Sequence, residues 1–197
     1  MTHDMTAAYQ MYRRQLQILA HRKPEGQFVL KCPEHLWFVD AILETFPDAC
    51  IVWTHRDPVA SVASYSSLIA LNHRLWYGRF ENAELGASIH TRFLQGVERA
   101  MDARERAGEQ RAHQFFDVDF QELVADPVAM VGRIAEHFDL NYTDGDAEAV
   151  RSWLDNDRSD GRGQHLYSPQ QFGLDPAAIQ RDYARYIERF NIPLRQY

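Results

Sequence analysis

An arginine that could bind an anion stands between an apolar segment and a hydroxyl-rich one, in the stretch His55-Arg56-Asp57-Pro58. Residues 49–54 before it are apolar and β-branched, which predicts a buried strand. Residues 59–68 after it predict a helix that leaves the turn. At such a junction the free N–H groups of the helix start, the positive end of the helix dipole and a guanidinium converge. The spacing therefore predicts an anion site at Arg56.

The start of this helix has residues suited to the position. Asp57 or Thr54 could cap it, and Pro58 suits the first turn because its missing N–H costs nothing there. Ser64 follows Arg56 by eight residues, about two turns into the helix, so its hydroxyl could reach a group held by Arg56 if the strand end folds back. The alternative is purely structural: an ion pair between Arg56 and Asp57 at an ordinary strand–helix junction.

Composition limits the class of protein. The 197 residues are enough for a single domain, 1–197, with a hydrophobic core, and the 45% hydrophobic and 25% charged fractions are typical of soluble globular proteins. A net charge of −7 argues against broad nucleic-acid binding. The sequence has no run of about 18 apolar residues, so no membrane span is predicted. No signal peptide is visible.

Cysteine and histidine usage adds two expectations. The two cysteines, Cys32 and Cys50, lie in segments that are predicted to be buried, which favours a reducing compartment and a cytoplasmic location. No Cys/His cluster has the spacing of metal ligands, so we expect no metal site.

Strands and helices alternate in the first part of the chain. Residues 6–21 predict a helix, 27–31 a first strand and 36–46 a second helix. The strand at 49–54 and the helix at 59–68 follow after short loops. This βαβα pattern predicts a parallel sheet that is covered on both faces.

The rest of the chain is predicted to be mostly helical. A third strand is predicted at 113–118. Helical patterns, with a loop or irregular helix at 74–82, cover the remainder: 85–107, 119–124, 127–138, a helix from Asp144 or Asp146 to 156, and a last amphipathic helix from Pro176.

Four stretches, in this order and spacing, resemble bacterial sulfotransferases that use 3′-phosphoadenosine 5′-phosphosulfate (PAPS). They are residues 29–36, 55–68, 118–127, and 163–168 together with 172–174. The resemblance runs over nearly the whole chain. It implies an α/β, P-loop-NTPase-like three-layer fold with a short parallel sheet and many helices. It also implies transfer of a sulfonyl group from PAPS to a hydroxyl or amine, leaving adenosine 3′,5′-bisphosphate.

The resemblance implies two catalytic residues near the first predicted strand. Lys31-Cys32-Pro33-Glu34-His35 is similar to the family's Lys-Ser-Pro-x-His motif, with Cys32 in place of Ser. By analogy His35 is the general base for the acceptor hydroxyl, and Lys31 stabilises charge on the bridging oxygen. The alternative for His35 is a helix-capping or core histidine.

The resemblance also implies the residues that bind PAPS. Arg56 and Ser64 match the Arg and Ser that hold the 3′-phosphate, as suits a dianion. Phe120 falls where related enzymes carry a Tyr near the adenine, and its alternative is a core aromatic. Arg162 and Gly163 lie where the family closes a basic loop over the phosphates, and their alternative is a solvated loop.

One expected element has no match. The family's first strand and Gly-rich loop, which cradle the 5′-phosphosulfate, are not found, since Gly26 is the only glycine before Gly78. We therefore expect either a fragment or a natural form without the loop, with weak or no catalysis by this chain alone. An open apolar strand edge would favour a homo-oligomer.

The resemblance implies an enzyme that acts on a small-molecule acceptor, and two alternative functions remain. One is a catalytically inactive nucleotide-binding or scaffold domain derived from the same family. A nucleotide kinase is less well supported, because the sequence has neither a phosphate-loop Lys with Ser/Thr nor an acidic magnesium ligand at a strand end.

Overall fold

A computed structural model of the chain describes residues 4–21, 27–78, 80–158 and 166–197. The described residues form α-helices, short 3-10 helices and one small sheet. The α-helices are α1 (Thr6–Ala20), α2 (Val39–Thr45), α3 (Pro58–Tyr77), α4 (Asn82–Ala107), α5 (Phe120–Ala125), α6 (Pro127–His137), α7 (Asp144–Arg158), α8 (Pro176–Asp182) and α9 (Ala184–Phe190). The strands are β1 (Ile51–His55) and β2 (Phe115–Asp119), and 3-10 helices span Pro33–Phe38, Glu109–Gln114 and Pro169–Phe172.

The chain forms two compact units. Unit 1 comprises Met1–Cys50 and Gln95–Gln114, and unit 2 comprises Ile51–Leu94 and Phe115–Tyr197. Helix α4 contributes residues to both. No helix in the described ranges has the length and apolar character needed to cross a membrane.

Unit 1 is built where α1 packs on α2. The side-chain amide of the buried Gln114 donates to the carbonyl oxygens of Pro47 and Ala49, at 2.8 and 3.0 Å. These bonds satisfy the backbone of the turn that follows α2. Position 96 requires glycine, because a Cβ there would lie 2.6 Å from the ring of Trp37.

Unit 2 is built on the two-stranded parallel sheet. Ile51 pairs with Phe115 at one end of the ladder and His55 with Asp119 at the other. Parallel strands end at the same edge, so the residues that follow His55 and Asp119 are neighbours. Its core includes buried residues of β2 and of helices α3, α6 and α8: Val59, Val62, Val118, Met130 and Ile179.

Three helices of unit 2 begin with the same Asp-Pro pair. Asp57, Asp126 and Asp175 each accept a backbone N–H in the first turn, at 2.8, 3.0 and 3.0 Å, and a proline follows each. The carboxylate satisfies an orphan donor of the helix start, and proline has no donor to satisfy. Of the two caps considered for α3, Asp57 is therefore the one used.

The first predicted strand is wrong. Residues 27–32 have no regular secondary structure, and Val29 is 93% exposed. The β-propensity of Phe, Val and Leu produces a strand only where a neighbour pairs with the backbone. Within the described ranges the sheet contains β1 and β2 alone, so two of the three predicted strands are confirmed.

Several smaller differences follow from local geometry. The helix predicted at 36–46 begins as a 3-10 helix at Pro33, α3 extends through Tyr77 into the predicted loop, and the last helix divides at Tyr183 into α8 and α9. Cys32 and Cys50 are free and exposed rather than buried. Cys32 lies in the segment that forms no strand, and Cys50 lies just before the first residue of β1.

Candidate functional site

The Arg56 side chain lies in the turn between the end of β1 and the start of α3. Its guanidinium carbon is 4.6 Å from the centroid of the Phe120 ring, so the two groups form a cation–π contact. Nη2 donates to Tyr167 Oη at 3.3 Å. Nε is buried and has no hydrogen-bond partner among the described residues. The guanidinium is therefore held at its face and one edge, while a buried donor stays unsatisfied.

Asp57 is not the partner of this guanidinium. Its carboxylate, 3% exposed, accepts the N–H of Val59 at one oxygen and the N–H of Arg195 and the hydroxyl of Tyr197 at the other. The last two distances are 2.9 and 2.8 Å. Arg56 makes no ion pair with any carboxylate in the described part of the chain. The structure thus does not support the purely structural Arg–Asp interpretation.

A buried hydrogen-bond network fixes the backbone beside Arg56. His55 lies 2.8 Å from Asp117 Oδ1 through Nε2 and 3.1 Å from Tyr186 Oη through Nδ1. The Arg56 N–H donates to the same Tyr186 oxygen at 3.3 Å. All three bonds are satisfied when His55 Nε2–H donates to Asp117 and the Tyr186 hydroxyl donates to Nδ1. Burial raises the pKa of Tyr186 well above its usual value, so the phenol stays protonated.

Ser64 lies on α3 with a hydroxyl that no other described residue uses. The side chain is half-buried and forms no hydrogen bond within the described ranges. Two other serines on α3 do use their hydroxyls: Ser61 Oγ donates to the Asp57 carbonyl at 3.1 Å, and Ser66 Oγ donates to the Val62 carbonyl at 2.8 Å. Ser64 is therefore available to a ligand.

Phe120 is brought to Arg56 by the sheet. The Asp119 side chain caps α5 by accepting two N–H groups, at 2.6 and 3.1 Å, and α5 therefore begins directly after β2. Because β1 and β2 are adjacent and parallel, Phe120 follows the strand end next to Arg56. The other two predicted binding residues, Arg162 and Gly163, lie outside the described residues.

Lys31 and His35 belong to unit 1, whereas Arg56, Ser64 and Phe120 belong to unit 2. Lys31 is exposed in the irregular segment 27–32. His35 lies in the 3-10 helix with Nδ1 2.8 Å from Tyr9 Oη, and burial lowers its pKa.

No group of three or more His, Cys, Asp or Glu side chains within the described ranges could hold a metal ion. At Arg56 the structure places a buried guanidinium Nε–H without a hydrogen-bond partner and, within the described residues, no carboxylate paired with the charge. A guanidinium can bind a phosphate or sulfate through two N–H groups.

Comparison with known proteins decides the family. The sequence profile of the sulfotransferase family matches residues 1–144. The chain belongs to the sulfotransferase family. It is similar to the crystal structure of sulfotransferase STF9 from Mycobacterium avium, with 31% identity and a TM-score of 0.86, over 100% of this chain and 50% of that one.

A second structure agrees with the first. Sulfotransferase STF1 from Mycobacterium tuberculosis H37Rv matches with 33% identity and a TM-score of 0.79, over 93% of this chain and 46% of that one. No curated protein sequence matches. The chain spans about half the length of the mycobacterial sulfotransferases it resembles. These matches confirm the predicted α/β, P-loop-like fold of the sulfotransferase family.

Sequence reasoning missed the side chains that hold Arg56 in this sulfotransferase-family domain. Tyr167 lies in one of the resembling stretches and Tyr186 in the last helix, 111 and 130 residues after Arg56. Tyr186 has helical spacing with its apolar neighbours, which indicates only a buried face. The one local signal was His55, a polar residue at the end of an apolar strand.

Proposed function

We propose that this chain acts as a PAPS-dependent sulfotransferase domain in which Arg56 and Ser64 bind the 3′-phosphate of the donor. The observation that carries the proposal is the buried Arg56 Nε without a partner in the described residues. A buried, unsatisfied donor on a charged group is costly, and a phosphate oxygen would satisfy it. Ser64 adds a hydroxyl whose hydrogen bond the helix does not use.

The remaining donor contacts are proposed from the family motif. Phe120 already packs against the Arg56 guanidinium, which orients the fork of N–H groups. The adenine is proposed to lie near the part of the Phe120 ring that the guanidinium leaves uncovered. Arg162 and Gly163 are proposed to close over the phosphates.

The proposed reaction is an in-line transfer to a small-molecule acceptor. PAPS supplies the sulfonyl group, whose bond to the bridging phosphate oxygen breaks as the acceptor oxygen or nitrogen bonds to sulfur. His35 takes the proton of the acceptor, and burial supports this role by keeping the imidazole neutral near pH 7. Lys31 stabilises the charge that develops on the bridging oxygen.

Calorimetry with adenosine 3′,5′-bisphosphate tests the binding part. The wild-type chain is expected to bind, and Arg56→Ala to bind about 10- to 100-fold more weakly, since a hydrogen bond to a charged group is worth about 1.5–3 kcal/mol. Arg151→Ala is the matched control, because Arg151 is exposed and pairs with Glu148 on α7. Equal affinity of the wild-type and Arg56→Ala chains would contradict the proposal.

Binding without catalysis is the second candidate function. The observation that favours it is that Lys31, the proposed catalytic lysine, is exposed in a segment without secondary structure. A radiolabelled sulfonyl-transfer assay with phenols, alcohols, amines and sugars separates the candidates. Turnover that is lost in His35→Asn supports the enzyme, whereas binding of adenosine 3′,5′-bisphosphate with no turnover supports the binding domain.

A cytoplasmic location is proposed on separate grounds. Cys32 and Cys50 are both free and exposed, which suits a reducing compartment.

A further inference from the structure

A tyrosine outside the family motif holds the imidazole of His35. Tyr9 Oη lies 2.8 Å from His35 Nδ1, and Tyr9 is 7% exposed on α1. The two ring centroids are 5.7 Å apart, and Tyr12 adds a second ring at 6.4 Å from His35. The His35 N–H also donates to the Cys32 carbonyl at 3.2 Å, which fixes the backbone. The imidazole is therefore held through its ring and its backbone.

The other ring nitrogen of His35 is available. Nε2 forms no hydrogen bond with any described residue. A neutral imidazole carries its proton on one nitrogen only, so the bond at Nδ1 decides what Nε2 can do. If the Tyr9 hydroxyl donates to Nδ1, the proton is on Nε2, which cannot then take another. If Nδ1–H donates to Tyr9 Oη, Nε2 has a free electron pair.

The second arrangement persists through proton transfer. When Nε2 takes a proton, the imidazolium still donates from Nδ1 to Tyr9 Oη, and that bond becomes charge-assisted. Burial raises the pKa of Tyr9 to about 12, so the phenol remains neutral and does not compete for the proton. A neutral oxygen at this position can thus stabilise both protonation states of the ring.

We propose that Tyr9 is a positioning residue for His35: Nδ1–H donates to Tyr9 Oη, and Nε2 is the atom that receives the acceptor's proton. This inference rests on the proposed function. In the transfer step the acceptor O–H bond breaks and its proton goes to Nε2. Its electron pair forms the bond to sulfur, and the bridging oxygen leaves with the electrons of the sulfur–oxygen bond as part of adenosine 3′,5′-bisphosphate.

Nitrogen-15 NMR of the histidine side chains tests the tautomer directly. The uniformly labelled chain is measured at pH about 8, above the ordinary histidine pKa of about 6.5. The His35 signals are assigned by their loss in His35→Asn, because the chain has 9 histidines. The expected result is a pyrrole-type shift for Nδ1 and a pyridine-type shift for Nε2. The reverse pattern in the wild-type chain would overturn the proposal.

Two matched variants test whether Tyr9 is responsible. Tyr9→Phe keeps the ring and removes the hydroxyl, whereas Tyr12→Phe removes a hydroxyl that does not bond to His35. We expect Tyr9→Phe to shift His35 towards the Nε2–H tautomer and to lower its pKa, because the imidazolium loses an acceptor. Tyr12→Phe should leave both unchanged. An unchanged tautomer, or a raised pKa, in Tyr9→Phe would show that Tyr9 does not accept from Nδ1.

Among the described residues, the titratable groups that face His35 or the Tyr9 hydroxyl bonded to it include Tyr12 from α1, and Cys32 and Glu34 from the segment of His35. The readouts need neither donor nor turnover. A chain with the Nδ1–H tautomer that fails to bind adenosine 3′,5′-bisphosphate would contradict the proposed function alone. A chain that binds it but has the Nε2–H tautomer would contradict the role of Tyr9 alone.

Discussion

Replacing Asp57 by alanine should be among the most destabilising single changes in unit 2. The buried carboxylate accepts three hydrogen bonds, from the Val59 N–H, the Arg195 N–H and the Tyr197 hydroxyl. Loss of the helix cap alone costs about 1 kcal/mol. Each of the other two bonds ends on a charged acceptor and is worth about 1.5–3 kcal/mol, towards the lower end for the half-exposed Tyr197.

The expected total for Asp57→Ala is about 3–5 kcal/mol, since neighbouring contributions do not add fully. That is a large part of the ordinary free energy of unfolding of about 5–15 kcal/mol. Asp126→Ala is the matched control, because Asp126 begins α6 with the same Asp-Pro pair but is exposed and accepts only the Ala129 N–H in its first turn. It should cost about 1 kcal/mol.

Urea unfolding followed by circular dichroism and Trp fluorescence measures both free energies. Tyr197→Phe provides an intermediate value, about 1–2 kcal/mol, because it removes one of the three bonds. If Asp57→Ala and Asp126→Ala destabilise the chain equally, the contacts of residues 195–197 with Asp57 contribute nothing. The bonds from Arg195 and Tyr197 to Asp57 would then not stabilise the turn beside Arg56.

Two further outcomes can be checked with the same unfolding assay. Gly86→Ala should destabilise by about 1–3 kcal/mol because its Cβ would collide with the backbone oxygen of Phe172, whereas Gly132→Ala, with ordinary contacts, should stabilise by about 0.5–1 kcal/mol. Burial lowers the pKa of His35 below 6.5, so the unfolded chain takes up a proton before the folded one as pH falls through that value. Stability should therefore decline from pH about 6.5 downward and do so less in His35→Gln, and equal declines in the two proteins would contradict this.

The Arg56 turn could be predicted because its determinants are local. The apolar run of β1, the Asp57-Pro58 helix start and the spacing to Ser64 all lie within 14 residues, from Ile51 to Ser64. The same Asp-Pro signal begins α6 and α8. Local chemistry therefore predicts these helix starts, and the anion site at Arg56 stays a prediction.

The partners of Arg56 could not be predicted, because they depend on tertiary packing. Tyr167 and Tyr186 reach it from more than 100 residues away, and helical periodicity assigns Tyr186 only to a buried face. The wrong strand at 27–31 has the same origin: its apolar pattern is local, but a strand needs a partner elsewhere in the chain. Tyr9 is a similar case, since its spacing on α1 does not reveal the bond to His35.

The central claim is that the Arg56 guanidinium binds the 3′-phosphate of the nucleotide, and a calorimetric cycle tests it most directly. Wild type and Arg56→Ala are each titrated with adenosine 3′,5′-bisphosphate and with adenosine 5′-monophosphate, which lacks the 3′-phosphate. We predict that omitting this phosphate weakens binding to the wild type by about 10- to 100-fold and weakens binding to Arg56→Ala much less, because only the Ser64 contact is then lost. An equal loss in both proteins would contradict the claim.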